Sequence, residues 1–144
     1  AALSTADVSS SSSLWKAIAA DGSLVAPGSS GTIKLDWRSG KWNLVTDALT
    51  GQDENGHSTS FNALATTLSA VPQILYGIGV YPQEPNGDYG GDDLWAINKG
   101  ERLPIRGGGW FNTSYAGVFR LALNNVRSDA YGSIGRRSAF VGSL

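Results

Sequence analysis

The sequence predicts an α+β domain built from short twisted antiparallel strands, one or two helices and long loops. Three observations lead there. A chain of 144 residues can enclose one hydrophobic core but is short for two, because the buried share of a chain's surface rises with its size. Its 19 glycines and 5 tryptophans are the pairing expected where loops take unusual backbone angles and large rings anchor them. Its apolar stretches are short, change period along the chain and are separated by Gly, Pro, Asn and Ser.

Residues 1 to 13 end in Ser9-Ser10-Ser11-Ser12-Ser13, which buries no apolar surface and reads as a flexible N-terminal arm ahead of a single domain, 14 to 144. Ser13 is placed to cap a short helix, Leu14 to Ala20, with Gly22 just past its end. After the loop Pro27 to Gly31, the segments Thr32–Trp37 and Lys41–Thr46 flank Arg38-Ser39-Gly40, a hairpin signal with Trp37 and Trp42 beside the turn. Thr50 to Ser60 is polar and reads as loop. Phe61, Leu64, Ala65, Leu68 and Val71 recur at helical spacing, predicting a helix over 61–70 that Pro72 terminates.

Gln73 to Tyr81 is apolar and interrupted by Gly, the pattern of a buried strand. Pro82 to Asp93 is loop. Leu94–Ile97, Leu103–Arg106, Val118–Leu123 and Ile134–Val141 read as short strands. In the third, Phe119, Leu121 and Leu123 alternate with Val118, Arg120 and Ala122, as a half-buried strand requires.

Charge and composition narrow the function. With 11 basic against 12 acidic residues there is no field to draw the chain to nucleic acid or an anionic membrane surface. No apolar run is long enough to insert in a bilayer. The start Ala1-Ala2-Leu3-Ser4 lacks the regions of a signal peptide, and without Met at position 1 the chain is expected to be a trimmed one. Charged residues at 16% are few for a fully solvated surface, so a homo-oligomer or larger assembly is expected.

The absence of Cys removes disulfides, thiolate nucleophiles and sulfur ligands. His57, the only histidine, lies in a polar stretch and reads as a solvated loop residue; one His without Cys does not make a zinc site. Nothing selects a pair of carboxylates for acid–base work. The loop Glu84 to Asp93 has enough hard oxygen ligands to hold Ca²⁺. Its Glu84-Pro85-Asn86 matches the sugar-binding tripeptide of mannose-type C-type lectins, but the Trp-Asn-Asp element and disulfides of that family are missing, so a structural turn is expected. Asn112-Thr113-Ser114 fits a glycosylation sequon, and Gly77-Ile78-Gly79 lacks the third glycine of a nucleotide loop. The expectation is a binding protein with no cofactor, no metal and no catalytic residues, hence no enzyme.

The most specific run is Glu101-Arg102-Leu103-Pro104-Ile105-Arg106-Gly107-Gly108-Gly109-Trp110, followed by Ala116-Gly117-Val118-Phe119, Asn124-Asn125-Val126-Arg127-Ser128 and Ile134-Gly135-Arg136-Arg137-Ser138-Ala139-Phe140. It resembles the C-terminal half of C-type-lectin-like domains in phage tail and tropism-determinant proteins, including those diversified by retroelements. The likeness covers about the last 60 residues well and Tyr89–Trp95 more loosely. The resemblance implies a C-type-lectin-like fold at a virion surface, as in a tail fibre, that attaches to a host cell-surface receptor, protein or glycan, alongside other virion proteins. The alternative is a structural or decoration subunit of a phage particle. The same core occurs in formylglycine-generating enzymes, whose activity depends on cysteines absent here.

The residues fit a binding role in their own terms. Gly107-Gly108-Gly109 permits angles closed to other residues, and Trp110 is expected to plug that turn into the core. Two loops, Phe111–Tyr115 and Ser128–Ser133, then carry Tyr, Ser, Asn and Gly, the palette of antibody paratopes. By resemblance, Phe111, Asn112, Thr113, Ser114, Tyr115, Asp129, Tyr131 and Ser133 form the ligand-binding face. Arg106, Trp110, Arg127 and Arg137 belong to the scaffold, with guanidinium forks tying loops to carbonyls and carboxylates. Arg136 stands where the family has Phe, and with Arg137 could make a subunit contact.

Overall fold

The computed structural model describes residues 15–52, 54–100, 102–126 and 128–129. The expected N-terminal arm, the helix start at Ser13 and Leu14, the strand Ile134–Val141, and Arg127, Tyr131, Ser133, Arg136 and Arg137 lie outside them.

The hairpin forms where the turn chemistry places it. β3 (Lys34–Arg38) and β4 (Lys41–Val45) pair antiparallel with Trp37 opposite Trp42 and Arg38 opposite Lys41. Ser39 and Gly40, both at positive φ (52° and 75°), make the two-residue turn whose twist matches its strands. Asp36 is fully buried on this hairpin. Its Oδ2 accepts from Arg38 Nε at 2.6 Å, the Thr50 amide at 2.9 Å and the Thr50 hydroxyl at 3.0 Å, so the chain leaving β4 is folded back over it. Burial works to raise the Asp36 pKa, but the Thr50 amide, Arg38 and the Thr50 hydroxyl outweigh it and hold the carboxyl below its usual value.

Short strands complete three sheets. β1 (Ala17–Ile18) pairs β2 (Leu24–Val25); β3, β4 and β6 (Ala65–Thr66) form the second; β5 (His57–Ser60), β7 (Asp93–Ala96), β9 (Leu121–Asn125) and β8 (Leu103–Arg106) form the third in that spatial order. The expectation of antiparallel strands holds only in part, since β4 pairs β6 and β7 pairs β9 in parallel. Each parallel pair is separated in sequence by a long crossover that carries another strand, as parallel pairing requires. The domain is thus mixed, sheet-rich α+β with few helical turns.

The second and third sheets meet through Trp42. Its indole N–H donates to the His57 carbonyl at 2.8 Å and its amide to the Thr59 hydroxyl at 2.9 Å. Around it a buried cluster gathers Leu44, Leu64, Leu75, Tyr81, Leu94, Ala96 and Leu121.

Several expectations change under this packing. Ala17–Ile18 is strand and not part of a helix, because the Ile33 amide bonds the Ile18 carbonyl and the Ala20 amide bonds the Gly31 carbonyl. His57 and its neighbours form β5 rather than loop, and the imidazole stacks on Trp37 with ring centroids 4.4 Å apart. The helix expected over 61–70 is one 3₁₀ turn, Phe61–Ala63, followed by β6. Its i, i+3 spacing of buried Phe61 and Leu64 is equally that of a 3₁₀ turn, and β4 then offers Ala65 and Thr66 a partner.

Conversely, the strand expected over 73–81 is helix α1 (Gln73–Gly77). Pro72 sits at its start and Gly79, at φ 69°, just past its end. The amides of Gly79 and Val80 bond the carbonyls of Tyr76 and Leu75, the paired C-terminal bonds that glycine enables. β8 spans Leu103–Arg106 as expected, while β9 begins at Leu121, three residues later than its apolar pattern. Among the described residues no helix is long and apolar enough to cross a membrane.

Candidate functional site

The third sheet has one face on the core and one face open. Along β7, Leu94 and Ala96 are buried in the cluster, so the period-2 pleat turns Asp93 and Trp95 to the other side. Opposite Trp95 stands Ala122 of β9, and opposite Ala122 stands Ile105 of β8. Together with Ser58 these side chains floor a cleft of about 960 Å³ whose other wall is the segment 108–115. A Cβ on Gly56 would lie 2.5 Å from the Trp95 ring, so the indole rests directly on the backbone.

What holds that wall is polar. Arg120, 9% exposed, reaches from the start of β9 to Asp93 (Nε to Oδ1, 2.6 Å) and to Asn112 (Nη1 to Oδ1, 2.7 Å). Asn112 Oδ1 also accepts the Gly109 amide at 2.8 Å, and Asp93 Oδ2 accepts the Ser58 hydroxyl at 2.6 Å. The guanidinium therefore ties β7, β9 and the loop together with charge-assisted bonds, and the Asp93 carboxylate extends the network to β5 through Ser58. Gly108 makes room for it, being at φ 71° with Arg120 Cδ and Nη1 each 2.8 Å from where a Cβ would stand.

Asp92 anchors the far end of the segment. Its Oδ2 accepts the Phe119 amide at 2.8 Å, and its carboxylate packs against Gly117. The two aspartates that end the acidic loop thus face inward, at 4% and 6% exposure, and Glu84 to Gly87 form a turn with Asn86 at φ 66°. Among the described residues no group of three His, Asp or Glu side chains is placed to hold a metal ion.

Held at both ends, the segment Trp110–Tyr115 is a 3₁₀ turn broken at Thr113 (φ 49°, ψ −126°). For a β-branched residue that is a strained conformation, costing roughly 1–3 kcal/mol, and strain of this kind persists only where surrounding bonds impose it. The sequence's core assignment for Trp110 is overturned, as it is 91% exposed. Gly109 is extended and the Gly109–Asn112 bond starts the turn at once, so the indole is carried outward, where it meets the Phe111 ring at 5.9 Å in a T-shaped contact.

Of the expected ligand-binding residues, Phe111, Thr113, Ser114 and Tyr115 are exposed on this turn, Phe111 and Tyr115 also lining the cleft. Asn112 is half-buried and bonds inward. Asp129 lines the cleft while its carboxylate closes its own turn, accepting from the Val126 amide at 3.0 Å and Asn125 Nδ2 at 3.1 Å. Arg106 ties loops as expected, donating to the carbonyls of Ile78, Gly79 and Phe119.

Sequence reasoning missed Trp95, Arg120, Asp93 and exposed Val118. The signal for Trp95 was present, since it alternates with buried Leu94 and Ala96 and so points away from the core; Arg120 follows exposed Phe119 and carries no such signal. The site is therefore an aromatic turn overhanging an open cleft on a sheet-rich scaffold. Comparison with protein-family models and with curated proteins finds no match for the chain.

Proposed function

We propose that the chain is a binding module of the C-type-lectin-like kind, carried on a phage particle, that attaches to a host-surface protein or glycan through the turn 110–115 and the cleft beneath it. The observation that carries this reading is the exposure of Trp110, Phe111 and Tyr115 on a backbone fixed from below by Arg120, Asp93 and Asn112. Large rings with few torsions, presented on a preorganised loop, lose little entropy on binding. The cleft's charged groups support binding over catalysis, because Asp93 and Arg120 hold each other and Asp129 holds its own turn. One such site is weak, and copies on an oligomer would act by avidity.

The test is attachment. Beads carrying many copies of the chain are applied to a panel of bacterial strains, beside beads carrying the Phe111→Ala/Tyr115→Ala variant. Adhesion to some strains, lost in the variant with its melting temperature unchanged, is the expected result; equal adhesion of both would end the proposal.

A structural or decoration role is the second reading, favoured by the exposure of Trp110 (91%) and Val118 (81%), which would suit a contact between virion subunits. It predicts that Trp110→Ala changes the sedimentation of the purified chain and leaves adhesion alone.

A further inference from the structure

A second cleft, of about 540 Å³, opens between helix α1, the acidic loop and the segment before β9. Its chemistry differs from that of the first. Two groups of aromatic rings line it: Phe61, Tyr89 and Phe119, with Tyr89 meeting Phe61 and Phe119 edge-on at 5.3 and 4.9 Å, and Tyr76 with Tyr81, perpendicular at 5.7 Å. Edge-to-face packing fixes each ring's plane against a neighbour. Tyr89 is fixed further, because its hydroxyl accepts the Glu84 amide at 3.0 Å.

The charges of this cleft are unbalanced in one direction. Two carboxylates, Glu84 and Asp88, face one guanidinium, Arg106. Arg106 does not pair with either, since its donors go to the carbonyls of Ile78, Gly79 and Phe119. Asp88 accepts the Gly90 amide at 2.9 Å. The exposed Glu84 carboxylate makes no hydrogen bond or ion pair among the described residues. Of these rings Phe61 and Tyr81 are buried, while Tyr76 and Tyr89 are half-buried and Phe119 is exposed. An aromatic lining with an uncommitted carboxylate beside it is complementary to a positive charge that carries apolar surface, because the aromatic quadrupole attracts cations.

We propose that this cleft binds an organic ammonium ion, a methylated one best of all. An alkylated ammonium is weakly hydrated, so it gives up little in leaving water for the rings, whereas a bare metal ion would find few oxygen ligands there. The site is separate from the cleft under the aromatic turn, with which it shares no lining residue.

Choline and its neutral isostere 3,3-dimethyl-1-butanol test it, each titrated into the whole chain while aromatic and amide resonances are followed by NMR. Saturable choline binding, perturbing Tyr76, Tyr81 and Tyr89 and about tenfold tighter than the isostere, is expected. Glu84→Gln, an exposed change that leaves the fold intact, should weaken choline several-fold and leave the isostere unaffected. Equal affinity for the two compounds would mean a merely apolar cleft, and an unchanged choline affinity in Glu84→Gln would remove the electrostatic argument. Either result, or no saturable choline binding, overturns the proposal.

Discussion

The β3–β4 hairpin and the segment 108–119 both hold tryptophan beside a glycine turn, yet they are built in opposite senses. In the hairpin Trp42 is fully buried and Trp37 stacks on His57, so the rings pack between the strands and their neighbours. In the segment Trp110, Phe111 and Tyr115 stand out in solvent, and the backbone is ordered by the ties of Arg120, Asp93, Asn112 and Asp92 underneath. Aromatic content alone therefore does not say which way a ring faces. A ring goes to the core where a facing sheet can close over it, and stays in solvent where polar bonds already hold the loop.

The contrast can be broken by substitution. Trp42→Ala should be the costliest change, about 3–5 kcal/mol for a large buried ring, read as a shift in the urea unfolding midpoint; a cost no greater than that of Trp110→Ala would erase the distinction. Next comes Arg120→Leu, which leaves Asp93 buried and uncompensated, at about 3 kcal/mol or more. Its specific sign is loosening of the turn, seen as faster hydrogen exchange at Gly109 and Phe111 while the β3–β4 amides stay protected. Uniform loss of protection would show that the ties support the whole fold.

Asp36→Asn is expected to cost about 1.5–3 kcal/mol, the range for bonds to a charged group. Because the folded-state pKa of Asp36 lies below the ordinary carboxylate value of 3.8, its contribution is complete above that value and is lost as pH falls through the lowered one. Wild type should therefore lose stability on acidification below about pH 4, and Asp36→Asn should lose less over the same interval; parallel curves would assign the acid sensitivity elsewhere. Smallest is Trp110→Ala, within about 0.5 kcal/mol as for other surface changes, checked by thermal melting alongside the adhesion assay.

Several elements were legible because their cause is local. Ser39-Gly40 can take two positive φ angles between alternating strands, and Leu103–Arg106 is bounded by glycine and charge. Helix α1 carries local end signals too, Pro72 before it and Gly79 after it, which its apolar run masks. The segment 61–70 was not readable, because one 3₁₀ turn and a helix share the same first spacing. Within the candidate site, the sequence located the exposed turn and its rings, but placed Trp110 in the core and saw Asn112 and Asp129 only as ligand contacts.

By itself the sequence determined the hairpin, the strand β8 and the position of the aromatic turn, since each follows from backbone preferences acting over a few neighbouring residues; the alternation expected over 118–123 is not kept, because Phe119 is exposed while Arg120 and Ala122 are buried. The tertiary structure alone decided that β4 and β7 take parallel partners, that Asp92 and Asp93 turn inward, and that Trp110 turns out. Those outcomes depend on groups brought together from distant parts of the chain, as when Arg120 meets Asp93 across 27 positions, and burial is a property of what closes over a side chain rather than of the side chain itself.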